Sequence, residues 1–153
     1  MPFRLARRAR IDVLSSIWLF AGCSRRELSE IAAISSLAPA PEGDVVVREG
    51  ETGETFFVIA SGRARVSIAG TPVGELGPGG FFGEMALLDG GPRIATVTAT
   101  TPMQLVVVLR SDFHALLTSA PSVAIRMLAA LGGRLRSLDR QLAAIRSETG
   151  TGF

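Results

Sequence analysis

The sequence predicts a mainly β domain with flanking helices: an antiparallel β-roll or jelly-roll barrel with N-terminal helices, a short inserted helix and a long C-terminal helix. Three observations predict it. From Pro39 to Leu109, short β-branched runs alternate with glycine turns, spaced about eight to twelve residues apart. On either side of that stretch the apolar residues switch to helical spacing. One segment, FFGEMALL, interrupts the strands with an acid in an apolar run and suits about one turn of helix over 84–88.

In chain order, residues 1–10 form a basic tail carrying Arg4, Arg7, Arg8 and Arg10. It suits either a solvated terminus or contact with an anionic partner or lipid. Ile11, Leu14, Ile17 and Trp18 recur at helical spacing, and FAG then turns the chain. Ser24, with Glu27 three residues on, has the capping-box pattern, in which each side chain serves the other residue's backbone N–H. The helix it starts carries Leu28, Ile31, Ala32 and Ile34 on one face. Strands are expected near 44–48, 55–60, 63–69, 72–76, 94–99 and 103–109, with glycines 43, 50, 53, 62, 70, 74 and 77 between them or at their ends. Ser111 or Asp112 is placed to cap a short helix through Leu117, and Pro121 suits the first turn of the next.

That last helix carries Leu128, Leu131, Leu135, Leu138, Leu142 and Ile145 at spacings of 3, 4, 3, 4 and 3, a heptad pattern. A homodimer interface through these six residues is expected. A helix that only covers its own barrel, the alternative, would show a wider stripe. With Leu128 at position a, Arg134 falls at g and Asp139 at e, where they would face each other across a parallel seam. The expected divisions are thus a tail at 1–10, a β-roll with leading helices at 11–120, a lid and dimerisation helix at 121–147, and a disordered tail at 148–153.

Bulk composition excludes several function classes. A chain of 153 residues, 47% apolar with 17 glycines, fits one packed domain with many tight turns. Basic residues outnumber acidic ones by only 16 to 14, so the net charge of +2 does not supply the basic face that nucleic acid needs. The lone Cys23, read as a small buried or half-buried residue, excludes a disulfide within the chain and any four-cysteine cluster. A single histidine, His114, excludes a multi-histidine metal site and suits a helix surface or a packing role. No metal and no cofactor are expected. No apolar run reaches the roughly 18 residues of a membrane span, and IDVLSSIWLFAG is too short and polar for a span or a clear signal peptide. A reducing, cytoplasmic setting is expected.

The candidate site is the acid and base of FFGEMALLDGGPRIATVTAT. A short helix opening at 84–86 would offer the N–H groups of Met85 and Ala86 to an anion, and Gly83 lets the backbone turn sharply before it. Arg93 can bridge two oxygens of a phosphate. A carboxylate beside an anion is repulsive unless it accepts from a hydroxyl on the same ligand, so Glu84 together with Arg93 points to a ribose phosphate. Phe81, Phe82, Leu87 and Leu88 would exclude water and strengthen both contacts. An ion pair between Glu84 and Arg93 at a barrel turn is the other reading that spacing alone allows.

FGEMALL, then PRIATVTA after DGG, resembles the phosphate-binding cassette of the cyclic-nucleotide-binding domain family, found in bacterial catabolite activators, protein kinase A regulatory subunits and nucleotide-gated channels. VVVREGETGETFFVIASGRARV is similar to that family's first barrel half, LFAGCSRRELSEIA to its leading helices, and the leucine helix to its closing one, over roughly residues 11–147 in all. The resemblance implies that Glu84 accepts from the ribose 2′-hydroxyl, and that Gly83 and Ala86 offer backbone to ribose and phosphate. It implies that Arg93 pairs with the cyclic phosphate and that the N–H of Ile94 or Ala95 completes the cradle. Phe82 and Met85 flank these positions. Where the family often carries Ser or Thr after the arginine, this chain has Ile94, which favours cyclic AMP over cyclic GMP. The base-reading pair of the bacterial activators falls on Leu138 and Asp139. Asp139 suits the adenine amino group, or Arg134 of a second chain.

The expected function is therefore a cyclic-nucleotide sensor, not an enzyme, that signals through its C-terminal helix to an effector protein. A ligand-free dimerisation scaffold is the alternative. A cupin-like metal enzyme would need several His and carboxylate ligands, and no Ser/His/Asp or Cys/His arrangement is in view. No helix-turn-helix follows the closing helix, so a complete chain would act alone through protein contacts, whereas a fragment would have lost its output domain.

Overall fold

The computed structural model describes residues 7–84 and 90–148. Arg4, the helix expected over 84–88 with Met85 and Ala86, and the tail at 149–153 lie outside the described residues.

The chain opens with α1 (Arg7–Ser15), a 3₁₀ turn (Trp18–Phe20) and α2 (Arg25–Ile34). Eight strands follow: β1 (Ser35–Ala40), β2 (Val45–Val47), β3 (Thr55–Ser61), β4 (Ala64–Ile68), β5 (Thr71–Leu76), β6 (Phe81–Phe82), β7 (Thr96–Ala99) and β8 (Met103–Leu109). Two helices, α3 (Arg110–Ser119) and α4 (Pro121–Glu148), close the described chain. The strands form two four-stranded antiparallel sheets, ordered β1-β8-β3-β6 and β2-β7-β4-β5. This is the β-roll with flanking helices that the sequence predicts.

The sheets differ in how they are covered, and their sequences show it. The β1-β8-β3-β6 sheet is buried on both faces, so TFFVIAS and MQLVVVL read as almost unbroken apolar runs. Phe56, Val58, Phe81, Val106 and Val108 face the helices, where they meet Leu14, Phe20, Ile31, Phe113, Leu116 and Val123. Ile59, Phe82, Met103 and Leu105 point the other way and meet Val47, Ala64, Val97 and Ala99 of the second sheet. That second sheet is open on its outer face, and β7 alternates between half-buried threonines and buried Val97 and Ala99. Aromatic rings tie the layers together: Phe56 lies 5.1 Å from Phe113 and 5.9 Å from Phe81, and Phe57 stacks on Phe82 at 4.9 Å.

Local readings hold in some places and shift in others. The capping box at α2 is formed, with Ser24 N–H donating to Glu27 at 2.9 Å and Glu27 N–H to Ser24 Oγ at 3.1 Å. The first helix stops at Ser15; Ile17 is buried, but Trp18 sits in the 3₁₀ turn with half of its surface exposed. Neither Ser111 nor Asp112 caps α3. The helix follows β8 directly from Leu109, and the Arg110 N–H donates to the Glu54 carbonyl at 2.7 Å, so no side-chain cap serves that end. Cys23 is half-buried with Sγ 3.6 Å from Ser122 Oγ, and burial pushes its thiol pKa up, against the opposing pull of that contact. His114 lies exposed on α3.

The chain bends by 107° between α3 and α4. The first turns of α4 pack on the core through Val123 and Met127, and Arg126 donates to the Trp18 carbonyl at 2.9 Å while lying over its ring. Leu131, expected in a dimer seam, packs at least partly against this core instead. Leu128, Leu135, Leu138, Leu142 and Ile145 are all more than half exposed. No single described helix is long and apolar enough to cross a membrane.

Phe113 is fully buried between the sheet and the leading helices. Phe113→Ala is expected to cost about 3–5 kcal/mol by lost burial and a residual cavity, read as a lowered urea midpoint with unchanged slope.

Candidate functional site

A cavity of about 710 Å³ lies between the second sheet, the segment around β6 and the underside of α4. Its walls are mostly apolar, from Val47, Val66, Val73, Leu76, Phe82 and Val97. Gly83, Glu84, Arg93, Ile94 and Ala95 line it together with Phe82, so the structure gathers every expected site residue among those described except Asp139.

Glu84 and Arg93 stand out because they are buried charges, 5% and 7% exposed respectively. Each is placed by a strand end. Arg93 precedes β7, and its backbone is held on both sides: its N–H donates to the Glu51 carbonyl at 2.9 Å, and its carbonyl accepts from Gly50 N–H at 2.8 Å. The guanidinium lies over Phe57 at 5.9 Å and donates to the Gly83 carbonyl at 3.3 Å. Burial lowers the arginine's pKa from its ordinary value, and the nearby Glu84 carboxylate opposes that. Gly83 is required here, since it has φ +88° and a β-carbon would stand 2.8 Å from the Thr55 carbonyl and 2.7 Å from the guanidinium.

The two charges are not paired to each other in the way the simpler reading allowed. Glu84 instead accepts from Arg134 of α4 at 2.9 Å. The same guanidinium donates to the Phe81 carbonyl at 3.1 Å and lies 4.6 Å above the Phe81 ring. Arg134, expected to face Asp139 of a second chain, is thus committed within its own chain and joins α4 to the floor of the cavity. Asp139 is exposed and outside the lining; α4 turns Ser137, Leu138 and Gln141 to the cavity in its place. Sequence reasoning missed Arg134, Ser137 and Gln141. The heptad register carried the one available signal, and it pointed Arg134 outward. Among the described residues no group of three or more His, Cys, Asp or Glu side chains could hold a metal ion.

A two-sheet roll that sequesters an acid and an arginine at the edge of a deep apolar cavity, under a helix tied to that acid, is a small-molecule-binding domain. The family profile of the cyclic nucleotide-binding domain matches residues 38–120, and the chain belongs to that family. A cyclic nucleotide-gated potassium channel of Rhizobium etli is 40% identical over 113 residues, covering 74% of this chain and 32% of the channel. The cyclic AMP receptor protein of Thermus thermophilus is 33% identical over 129 residues, covering 81% of this chain and 60% of that protein. A crystal structure of a cyclic nucleotide-binding domain from Methylobacillus flagellatus superposes with a TM-score of 0.73 at 28% identity, over 90% of this chain and 83% of that one. The chain therefore spans less than two thirds of the length of these curated relatives.

Arg134→Ala leaves the buried Glu84 carboxylate without its partner. It is expected to lower stability by about 1–2 kcal/mol, discounted because the arginine itself is part-exposed. It should also speed amide exchange along α4 beyond Gly133. Unchanged exchange there, by mass spectrometry, would show that the tie does not hold the helix.

Proposed function

We propose that this domain is a sensor of a cyclic mononucleotide, cyclic AMP in preference to cyclic GMP, and that it signals by moving α4. The observation that carries the reading is the pair of buried charges on one cavity wall, one of which is already bonded to α4. Arg93 takes the cyclic phosphate, with the backbone at Ile94 and Ala95 beside it, and Glu84 accepts from the ribose 2′-hydroxyl. The base then lies along the apolar wall toward α4, where Ser137 and Gln141 supply the polar groups. Ile94 offers no hydroxyl to a guanine amino group, and the Thermus relative is itself named for cyclic AMP.

The output follows from the Arg134–Glu84 bond. A ligand hydroxyl bonding to the same carboxylate changes what α4 is tied to. Coupling needs only that the ligand bind more tightly to one helix position than to the other. The domain performs no catalysis in this reading and needs no metal or cofactor. It works in the cytoplasm, where Cys23 stays reduced, and passes its state to an effector protein by contact.

Calorimetric titration with cyclic AMP and cyclic GMP side by side tests the ligand. Arg93→Ala is expected to cost about 2–5 kcal/mol of cyclic AMP affinity, because it leaves the bound phosphate without its cation. Near-native affinity would refute the assignment.

A homodimer through the exposed face of α4 belongs to the same proposal. Leu128, before the packed Leu131, is 68% exposed and Leu135, after it, 61%, and Leu138, Leu142 and Ile145 continue the heptad from there. Leu135→Asp is expected to give monomers at micromolar concentration by sedimentation; a wild-type chain that is itself monomeric would refute the interface.

A further inference from the structure

We propose that Gly53, in the 48–54 loop between β2 and β3, is a positioning residue for Arg93: the absence of its side chain is what sets where the guanidinium lies. The inference rests on the nucleotide reading only for its effect on affinity. Its geometry stands alone.

A β-carbon built on Gly53 would overlap Nη2, Nε and Cζ of Arg93, and these are the three atoms nearest to it. No backbone atom comes closer. The glycine's φ lies outside the left-handed region, so the main chain does not itself demand glycine there. The exclusion is therefore about the arginine and not about the turn.

The same loop holds Arg93 from a second direction. Gly50 and Glu51 exchange two backbone hydrogen bonds with Arg93, at 2.8 and 2.9 Å, which fixes its Cα relative to the loop. Gly83 closes the opposite side, accepting from Nη1 and leaving no room for a β-carbon of its own. The guanidinium thus passes between two glycines, with Phe57 beneath it. The 48–54 loop carries Arg48, Glu49, Glu51 and Glu54, but at Gly53 its contribution is space.

A methyl group at position 53 must push the guanidinium off this course while the roll keeps its shape. Displacing a charged group by about 1 Å can cost on the order of 100-fold where geometry matters, so Gly53→Ala should weaken cyclic AMP binding at least tenfold.

Three measurements test this. A crystal structure of Gly53→Ala without nucleotide should show the Arg93 guanidinium displaced and its hydrogen bond to the Gly83 carbonyl lost; an unmoved guanidinium overturns the inference. Thermal unfolding of Gly53→Ala, Arg93→Ala and the double variant reads the same contact. Any loss caused by Gly53→Ala should disappear when Arg93 is already alanine, and an equal loss in both backgrounds would make Gly53 a turn residue only. In binding, Gly53→Ala should cost at least tenfold in the wild-type background and little beside Arg93→Lys, whose slimmer stem leaves room for the methyl. Equal losses in both backgrounds count against it. If the wild-type chain binds no cyclic nucleotide, the functional reading fails, while the crystal and unfolding results still decide the positioning.

Discussion

Holding a guanidinium out of water is the constraint around which the rest of this domain is arranged. A buried, poorly paired cation costs several kcal/mol, so a fold keeps one only when its surroundings fix it from several sides. Around Arg93 those sides are a ring face, a carbonyl, a doubly hydrogen-bonded loop and two glycines. They come from three places in the fold: Phe57 of β3, Gly83 just after β6, and the 48–54 loop with Gly50, Glu51 and Gly53; β3 and β6 belong to the sheet that is packed on both faces. Phe57 shows the economy of this. The β-strand period sends its neighbours Phe56 and Val58 to the helices and Phe57 to the cavity side, where it stacks on Phe82 and lies under the arginine.

The long helix divides into two physical regimes. Its first turns are bolted down by Val123, Met127 and the Arg126–Trp18 contact. From 132 to 145 the residues are exposed, and Arg134 is the tie to the cavity. Gly132 and Gly133 fall at the change between the two regimes, where each weakens the helix by about 1 kcal/mol relative to alanine. A segment with few buried contacts is the part of a structure that opens at least cost. The polar tie therefore governs a part of the helix that apolar packing does not hold.

Most of the roll was legible because its strands obey simple rules: the doubly buried β3 and β8 read as continuous apolar runs, and β7 alternates. β1 escaped notice because SSLAPA contains Pro39 and lacks a β-branched run. It is an edge strand, paired only with β8, which is where proline is tolerated. β6 is two residues long and gives no periodic signal. At the site, Glu84 and Arg93 were legible as an acid and a base in one short cassette. Arg134 was not, because it lies fifty residues along the chain from Glu84 and its heptad position pointed elsewhere. Choosing between Asp139 and Ser137 or Gln141 needs the rotation of α4 about its axis. One residue turns a helix by about 100°, and a surface stripe does not fix which neighbouring face meets the cavity.

Charge balance in the cavity says which kind of phosphate suits it. Among the described residues that line the cavity, two guanidiniums, Arg93 and Arg134, and one carboxylate, Glu84, leave a single positive charge once Glu75 is set aside. Glu75 also borders the cavity, but Arg63 pairs with it at 3.2 Å on the solvent side and cancels its charge. A cyclic phosphodiester carries one negative charge and matches this sum. A phosphomonoester, at about −1.5 to −2 near neutral pH, would bring excess charge next to a buried carboxylate, and a triphosphate still more. The ring form also has no free terminal phosphate to hydrate, so it can enter an apolar cavity at lower cost than an open nucleotide. On the proposed reading, in which Glu84 accepts from a ligand hydroxyl, a site with one spare cation suits the cyclic diester on electrostatic grounds.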